Sequence, residues 1–136
     1  MPDSTEIPAR GPLPSPTSPK QARSIMKQAA FEAPDVQTVR LFSTEFTSLC
    51  PRTGQPDFGS VSIEYTPERL CLESKSLKYY LWSFRNEGEF CEGLAGRIAD
   101  DVVYAIEPAH LQVEVTQNVR GGISIVARAV RGSRGF

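Results

Sequence analysis

The sequence predicts an α+β domain of order ββααββ, an antiparallel four-stranded sheet with two helices on one face. Three observations carry this reading. Apolar residues alternate within residues 39–65 and again within 111–125, as half-buried strands require. Between those blocks the apolar spacing lengthens to three and four, the period of an amphipathic helix. Pro108 then closes the helical stretch just before alternation resumes.

Taken in order, Val39 and Leu41 lead into FSTEFTSLC as a first strand, and Val61, Ile63 and Tyr65 form a second that ends at TPER. Leu77, Tyr80, Leu81 and Phe84 fall at i, i+3, i+4 and i+7 and predict the first helix. Leu94, Ile98, Val102 and Ile106 repeat every four residues and predict the second. Leu111, Val113 and Val115, then Ile123 and Ile125, supply two more strands around the turn Arg120-Gly121-Gly122. Helices on one face leave the sheet edges and its other face unpartnered, so a symmetric ring or barrel of subunits is expected.

Residues 1–34 hold seven of the eleven prolines. They read as a flexible or partner-draped tail, in which SIMKQAAF (24–31) is a candidate helical turn with disorder as the plainer alternative, and residues 35–136 read as one domain. A chain of 136 residues has a core too small to enclose a large cofactor site unaided. The formal net charge of -1 argues against a nucleic-acid coat, and no apolar run reaches the roughly 20 residues of a membrane span. Three cysteines about twenty residues apart fit neither a disulfide framework nor a zinc knuckle. A reducing cytoplasm is expected, with no cleaved export signal.

Chemistry is concentrated in LCPRTGQPDFGSVSIEY (49–65), where Cys50 and Asp57 lie at the two ends of a loop stiffened by proline and glycine. A thiol can add to an electrophilic carbon while a carboxylic acid protonates the neighbouring atom. A buried apolar cysteine and a turn aspartate are the plainer alternatives for the same residues. A second cluster, ESKSLKYY (73–80), places Ser74 as a helix cap and Lys75 and Lys78 three apart, suited to a phosphate but equally to solvent. Arg120, beside two glycines, adds a third cation. In RNEGEFCE (85–92) Glu92 precedes the apolar run of the second helix and can accept paired hydrogen bonds from a purine-like edge. The sequence has no GxGxxG or GxxxxGK[ST], and its one histidine, His110, reads as surface or turn, so Rossmann, P-loop and triad chemistry lack support.

Together, EFTSLCPRTGQPDF, ESKSLKYY, SFRNEGEF and RGGISI resemble the short, single-module NADPH-dependent 7-cyano-7-deazaguanine reductases, nitrile reductases of the QueF type with the tunnelling fold of GTP cyclohydrolase I. The likeness spans residues 36–127. It implies that Cys50 adds to the nitrile carbon as a covalent thioimide and that Asp57 protonates nitrogen. Two NADPH molecules would serve in turn as cosubstrates, making the aminomethyl base for queuosine in tRNA. Leu72, Glu73, Ser74, Cys91 and Glu92 would hold the deazaguanine, and Lys75, Lys78 and Arg120 the cofactor phosphates. The sites would lie between subunits of stacked rings, with no direct nucleic-acid or membrane partner. Cys91 stands where many relatives carry histidine, and a protective disulfide with Cys50 is a further expectation. The alternatives are a thioimide-forming amidinotransferase relative, which lacks the ESKSLK stretch, a non-catalytic purine- or pterin-binding module, and a zinc-dependent cyclohydrolase, for which the ligand set is thin.

Overall fold

The computed structural model describes residues 18–132. Four strands, β2 (Val39–Leu49), β3 (Pro56–Thr66), β5 (His110–Arg120) and β6 (Ile123–Gly132), form one antiparallel sheet in the order β2-β3-β5-β6. Alternation places Val61, Ile63 and Tyr65 of β3 and Leu111, Val113 and Val115 of β5 on one buried face. Ser62, Glu64 and Glu114 point the other way, and Arg128 pairs with Glu114 directly across the ladder. A short ribbon, β1 (Phe31–Glu32) with β4 (Leu70–Cys71), lies outside the main sheet.

The predicted helices are α2 (Ser74–Trp82), extended by a 3-10 turn over Ser83–Asn86, and α3 (Cys91–Ile106). As expected, α3 ends before Pro108, where Glu107 takes a left-handed φ of 44° and its N–H returns to Val103 O. Packing of α3 against β5 and β6 buries Leu94, Ile98 and Val102. The contact of α2 with β2 is slighter and leaves a groove of about 570 Å³ between them.

A third helix, α1 (Pro19–Ala29), corrects the reading of residues 1–34 as a flexible tail; the prolines before residue 18 lie outside the described residues. Ser18 caps it by accepting from Gln21 N, and Pro19 suits its first turn, where the missing N–H costs no helical bond. Ala22, Ile25 and Met26 form a narrow apolar stripe, buried where α1 packs on α2 and α3. The share of proline concealed that stripe. His110, read as surface or turn, is instead buried at the start of β5 opposite Gly132.

One polar junction ties all three helices. Tyr80 of α2 donates its hydroxyl to Asp101 Oδ2 of α3 at 2.5 Å, and Arg23 of α1 donates to Asp101 Oδ1 at 3.2 Å. Burial, then the Asp101 charge, pushes the Tyr80 hydroxyl well above the usual phenol range, so it remains a donor. Urea unfolding should show Asp101→Ala less stable by about 2–3 kcal/mol and Tyr80→Phe by about 1–2 kcal/mol, because each leaves a buried polar group short of its partner. The double variant should fall short of the sum by about 1 kcal/mol, as expected for groups in contact.

Candidate active site

Strand register builds the site from the β2–β3 hairpin. Leu49 pairs with Pro56 and Ser48 with Asp57, so Cys50 and Asp57 stand on the two arms of one tight loop. The loop closes through Cys50 N–H to Gln55 O and Gly54 N–H to Cys50 O, both 2.8 Å, with Gly54 at φ 72°. Asp57 shares its side of β3 with Val61 and Ile63, and it is buried, with 5% of its surface exposed. Cys50 is only partly buried, whereas Cys71 and Cys91 are buried.

The Cys50 thiol is lowered to about 7, chiefly by the Thr53 hydroxyl, then by the Arg52 and Thr53 backbone, with a smaller share from the Arg120 charge. Thr53 Oγ1 also accepts from Gln55 N at 3.2 Å, which orients its own proton toward the sulfur. The sequence reading overlooked Thr53. The signal was the threonine at the loop apex, a residue that bonds to neighbouring backbone in such turns.

Arg120 reaches Asp57 because β5 carries a bulge. Gln117 pairs with Ile125 and Arg120 with Ile123, so β5 holds one extra residue between them. In a regular ladder the odd positions Val113, Val115 and Gln117 would keep Arg120 on the opposite face. The extra residue turns it to the face of Asp57, with which its guanidinium pairs. Gly59, two residues beyond Asp57, permits this closeness: a Cβ there would sit 1.9 Å from Thr116 O. Arg120 was expected among the cofactor cations, but in the free chain its partner is a carboxylate.

The linker between α2 and α3 is pinned to the same end of the sheet. Leu49 N–H donates to Glu87 O at 2.9 Å and Glu89 N–H to Leu49 O at 3.2 Å. Arg97 engages both Glu87 and Glu89. This brings the N-terminus of α3 beside the hairpin, with Glu92 exposed in its first turn. Cys91, expected to meet substrate, faces inward instead: its thiol donates to Val115 O at 3.5 Å and is 2% exposed. The helical period puts it in line with Leu94, Ala95 and Ile98. Burial, then Glu92, raises its pKa, and both it and Cys50 are free thiols.

The second cluster lies elsewhere in the chain. β3 separates Asp57 from Tyr65 by about 26 Å at ~3.3 Å per residue, and the Tyr65 hydroxyl accepts from Leu72 N–H at 2.9 Å. Leu72 is therefore buried near the far end of β3. Glu73, not Ser74, caps α2: its two carboxylate oxygens accept from Lys75 N and Ser76 N at 2.9 and 2.8 Å. A carboxylate reaches two amides where a serine hydroxyl serves one. Lys75 and Lys78 are exposed, and Ser74 and Lys78 line the groove beside β2 together with Tyr79 and Trp82. One chain thus brings Cys50, Asp57, Arg120 and the start of α3 together, and leaves Leu72–Lys78 apart.

Against known proteins, residues 56–135 match the model of a family described as QueF-like protein, which takes in Asp57 and Arg120 and begins six residues beyond Cys50. The chain is 52% identical over 90 residues to the NADPH-dependent 7-cyano-7-deazaguanine reductase of Anaeromyxobacter sp. (strain K), 66% of this chain and 74% of that one. It is 48% identical over 87 residues to the protein of that name from Chlorobaculum tepidum (64% and 74%), and 45% over 98 residues to that of Chlorobium phaeovibrioides (72% and 84%). Among solved structures, the apo form of the archaeosine synthase QueF-Like superposes with a TM-score of 0.70 at 26% identity, over 75% of this chain and all of that one.

In the native protein iodoacetamide should alkylate Cys50 with a midpoint at about pH 7 and spare Cys71 and Cys91 until unfolding. Thr53→Val removes the largest stabiliser of the thiolate, so the midpoint should rise toward the ordinary thiol value, while Thr53→Ser holds it. Peptide mapping after alkylation across pH reads both.

Proposed function

Because the chain belongs to the family of QueF-like proteins, we propose that it is an NADPH-dependent 7-cyano-7-deazaguanine reductase, the activity for which its curated relatives are named. It converts the nitrile to the aminomethyl base used for queuosine in tRNA. The observation that carries this reading is the hairpin that presents a partly exposed, acidified thiol on one arm and a buried carboxylate on the other. A nitrile carbon accepts hydride poorly, and a covalent intermediate divides one hard step into easier ones.

Cys50 Sγ adds to the nitrile carbon as one C–N π bond breaks, and Asp57 delivers a proton to nitrogen. The result is a thioimide. Once that carbon has gained a hydride, the S–C bond breaks to give the imine and the Cys50 thiolate, which Thr53 favours and which is therefore a good leaving group. Glu92, exposed at the start of α3, accepts from the N–H and amino edge of the deazaguanine. Glu73, Ser74 and the backbone carbonyl of the buried Leu72 line the base pocket from an adjoining subunit, with Glu73 giving up part of its capping role as it does so.

Exposed Lys75 and Lys78 on the first turns of α2, and the groove that Ser74 and Lys78 share with Trp82, suit a phosphate-bearing ligand with flat rings. These residues would hold NADPH. When bound, NADPH supplies hydride, twice per nitrile. The cations also favour reduction over the amidinotransferase alternative that the sequence left open.

Separation of Cys50 from Lys75 within one chain supports sites shared between subunits. Among the described residues the outer edge of β6 is unpaired and that of β2 is bridged only at Leu49, by Gly88 of the linker, and Ile123, Val126 and Val130 of β6 are exposed apolar side chains. A ring closed through those edges would unite the two half-sites. No described helix is long and apolar enough to cross a membrane. The three free thiols suit a reducing cytoplasm, where we place the enzyme.

Mixing the protein with 7-cyano-7-deazaguanine should oxidise two equivalents of NADPH per nitrile, and Cys50→Ala should oxidise none. Lys75→Ala and Lys78→Ala should each raise the KM for NADPH about tenfold, the loss of one charged phosphate contact. Covalent capture of the nitrile without NADPH oxidation would assign the chain to amidine chemistry instead.

A further inference from the structure

Resting on that reading, we infer that Arg120 is a positioning residue for proton transfer: its guanidinium fixes the Asp57 carboxylate where it takes the Cys50 proton and passes it to the substrate nitrogen. Three features of the chain converge on this arrangement. The bulge in β5 is needed to turn Arg120 to the Asp57 face, and the Gly121-Gly122 turn, with φ of 58° and 80°, returns the chain into β6 immediately after it. Gly59 admits β5 close beside Asp57. Asp57 is buried while Arg120 remains 42% exposed along its side chain, so the pair sits at the boundary between core and solvent.

The neighbouring charges leave that task to Arg120. Glu87 and Glu89 of the α2–α3 linker are engaged by Arg97, and Glu92 acts on Cys91. Arg52 contributes to the sulfur through its backbone. Cys91 is turned to Val115. Among the described residues, the ion pair recorded for Asp57 is the one with Arg120.

The step balances without an oxidant. The Cys50 S–H bond breaks and its proton moves to the Asp57 carboxylate. The S–C bond forms as a C–N π bond breaks, and the proton passes from Asp57 to nitrogen. Asp57 ends as the carboxylate, paired again with Arg120. A carboxyl that had lost its cation would stay protonated at higher pH and could no longer accept the thiol proton.

Thioimide formation can be followed without NADPH, by absorbance and intact-protein mass, on adding 7-cyano-7-deazaguanine across a pH series. Arg120→Gln should form the adduct at least about tenfold more slowly than wild type near neutrality. Its acid limb should move to higher pH by more than its Cys50 alkylation midpoint does, because Arg120 also lowers the thiol directly, and Arg120→Lys should recover part of the rate and return the limb toward wild type. Where Arg120→Gln fails to fold, as judged by circular dichroism, the Arg120→Lys profile carries the comparison, and an acid limb identical to wild type overturns the assignment. An Arg120→Gln rate and profile equal to wild type, with a defect only in the KM for NADPH, makes Arg120 a cofactor cation and overturns it. A uniform loss at every pH overturns it as well, in favour of a structural role. If wild type forms no adduct, the reductase reading itself fails.

Discussion

The alternation of β3 is the constraint on which the rest depends. Its odd-numbered side chains face the helices, so the run that buries Val61, Ile63 and Tyr65 also commits Asp57 to the core side at the end of the sheet. A carboxylate there needs hydrogen bonds or a cation, because an isolated buried charge is expensive. The hairpin partner places Cys50 on the adjoining arm, and the bulge of β5 supplies Arg120. A one-residue slip of β3 would send Asp57 to the outer face and at the same time expose Ile63 and Tyr65. Core packing and site geometry are therefore specified by the same register.

Periodicity made most of this legible. The strand patterns around Ile63 and Val113 and the helical stripes through Leu81 and Ile98 all lie where their spacing put them. Cys50 and Asp57 were legible as a loop pair, because proline and glycine between them signal a tight connection. α1 was obscured by averaging: proline content over residues 1–34 outweighed a local stripe of Ala22, Ile25 and Met26 behind a Ser-Pro start. Glu73 displaced Ser74 as the cap of α2, which residue preference alone ranks the other way. The orientation of Arg120 depends on a bulge, and a bulge is settled by pairing with two neighbours rather than by anything in the residues 117–120 themselves.

The inward turn of Cys91 separates two tasks that one sequence position invites. At the first residue of α3 a side chain either faces the site with Glu92 or joins the stripe with Leu94 and Ile98. A small apolar thiol takes the second course and gains a weak bond to Val115 O. On the proposed reading the deazaguanine edge is left to Glu92, which stays exposed. A reactive Cys50 and an inert Cys91 then follow from environment alone: one sulfur receives hydroxyl and amide donors at a loop, while the other loses water without gaining a cation.

Placing the countercharge on an exposed hairpin also shapes how the site can work. A fully buried Arg–Asp pair would be hard to separate, since breaking it strands a charge in low dielectric. Arg120, part in solvent and followed by two glycines, can relinquish Asp57 at smaller cost when the carboxyl is transiently neutral. In the proposed step, protonation of Asp57 by the thiol would remove the attraction at the moment the proton must move on. Transfer to nitrogen would then restore the carboxylate and draw the guanidinium back. The same electrostatic contact that makes burial of Asp57 tolerable would thus reset it after each addition.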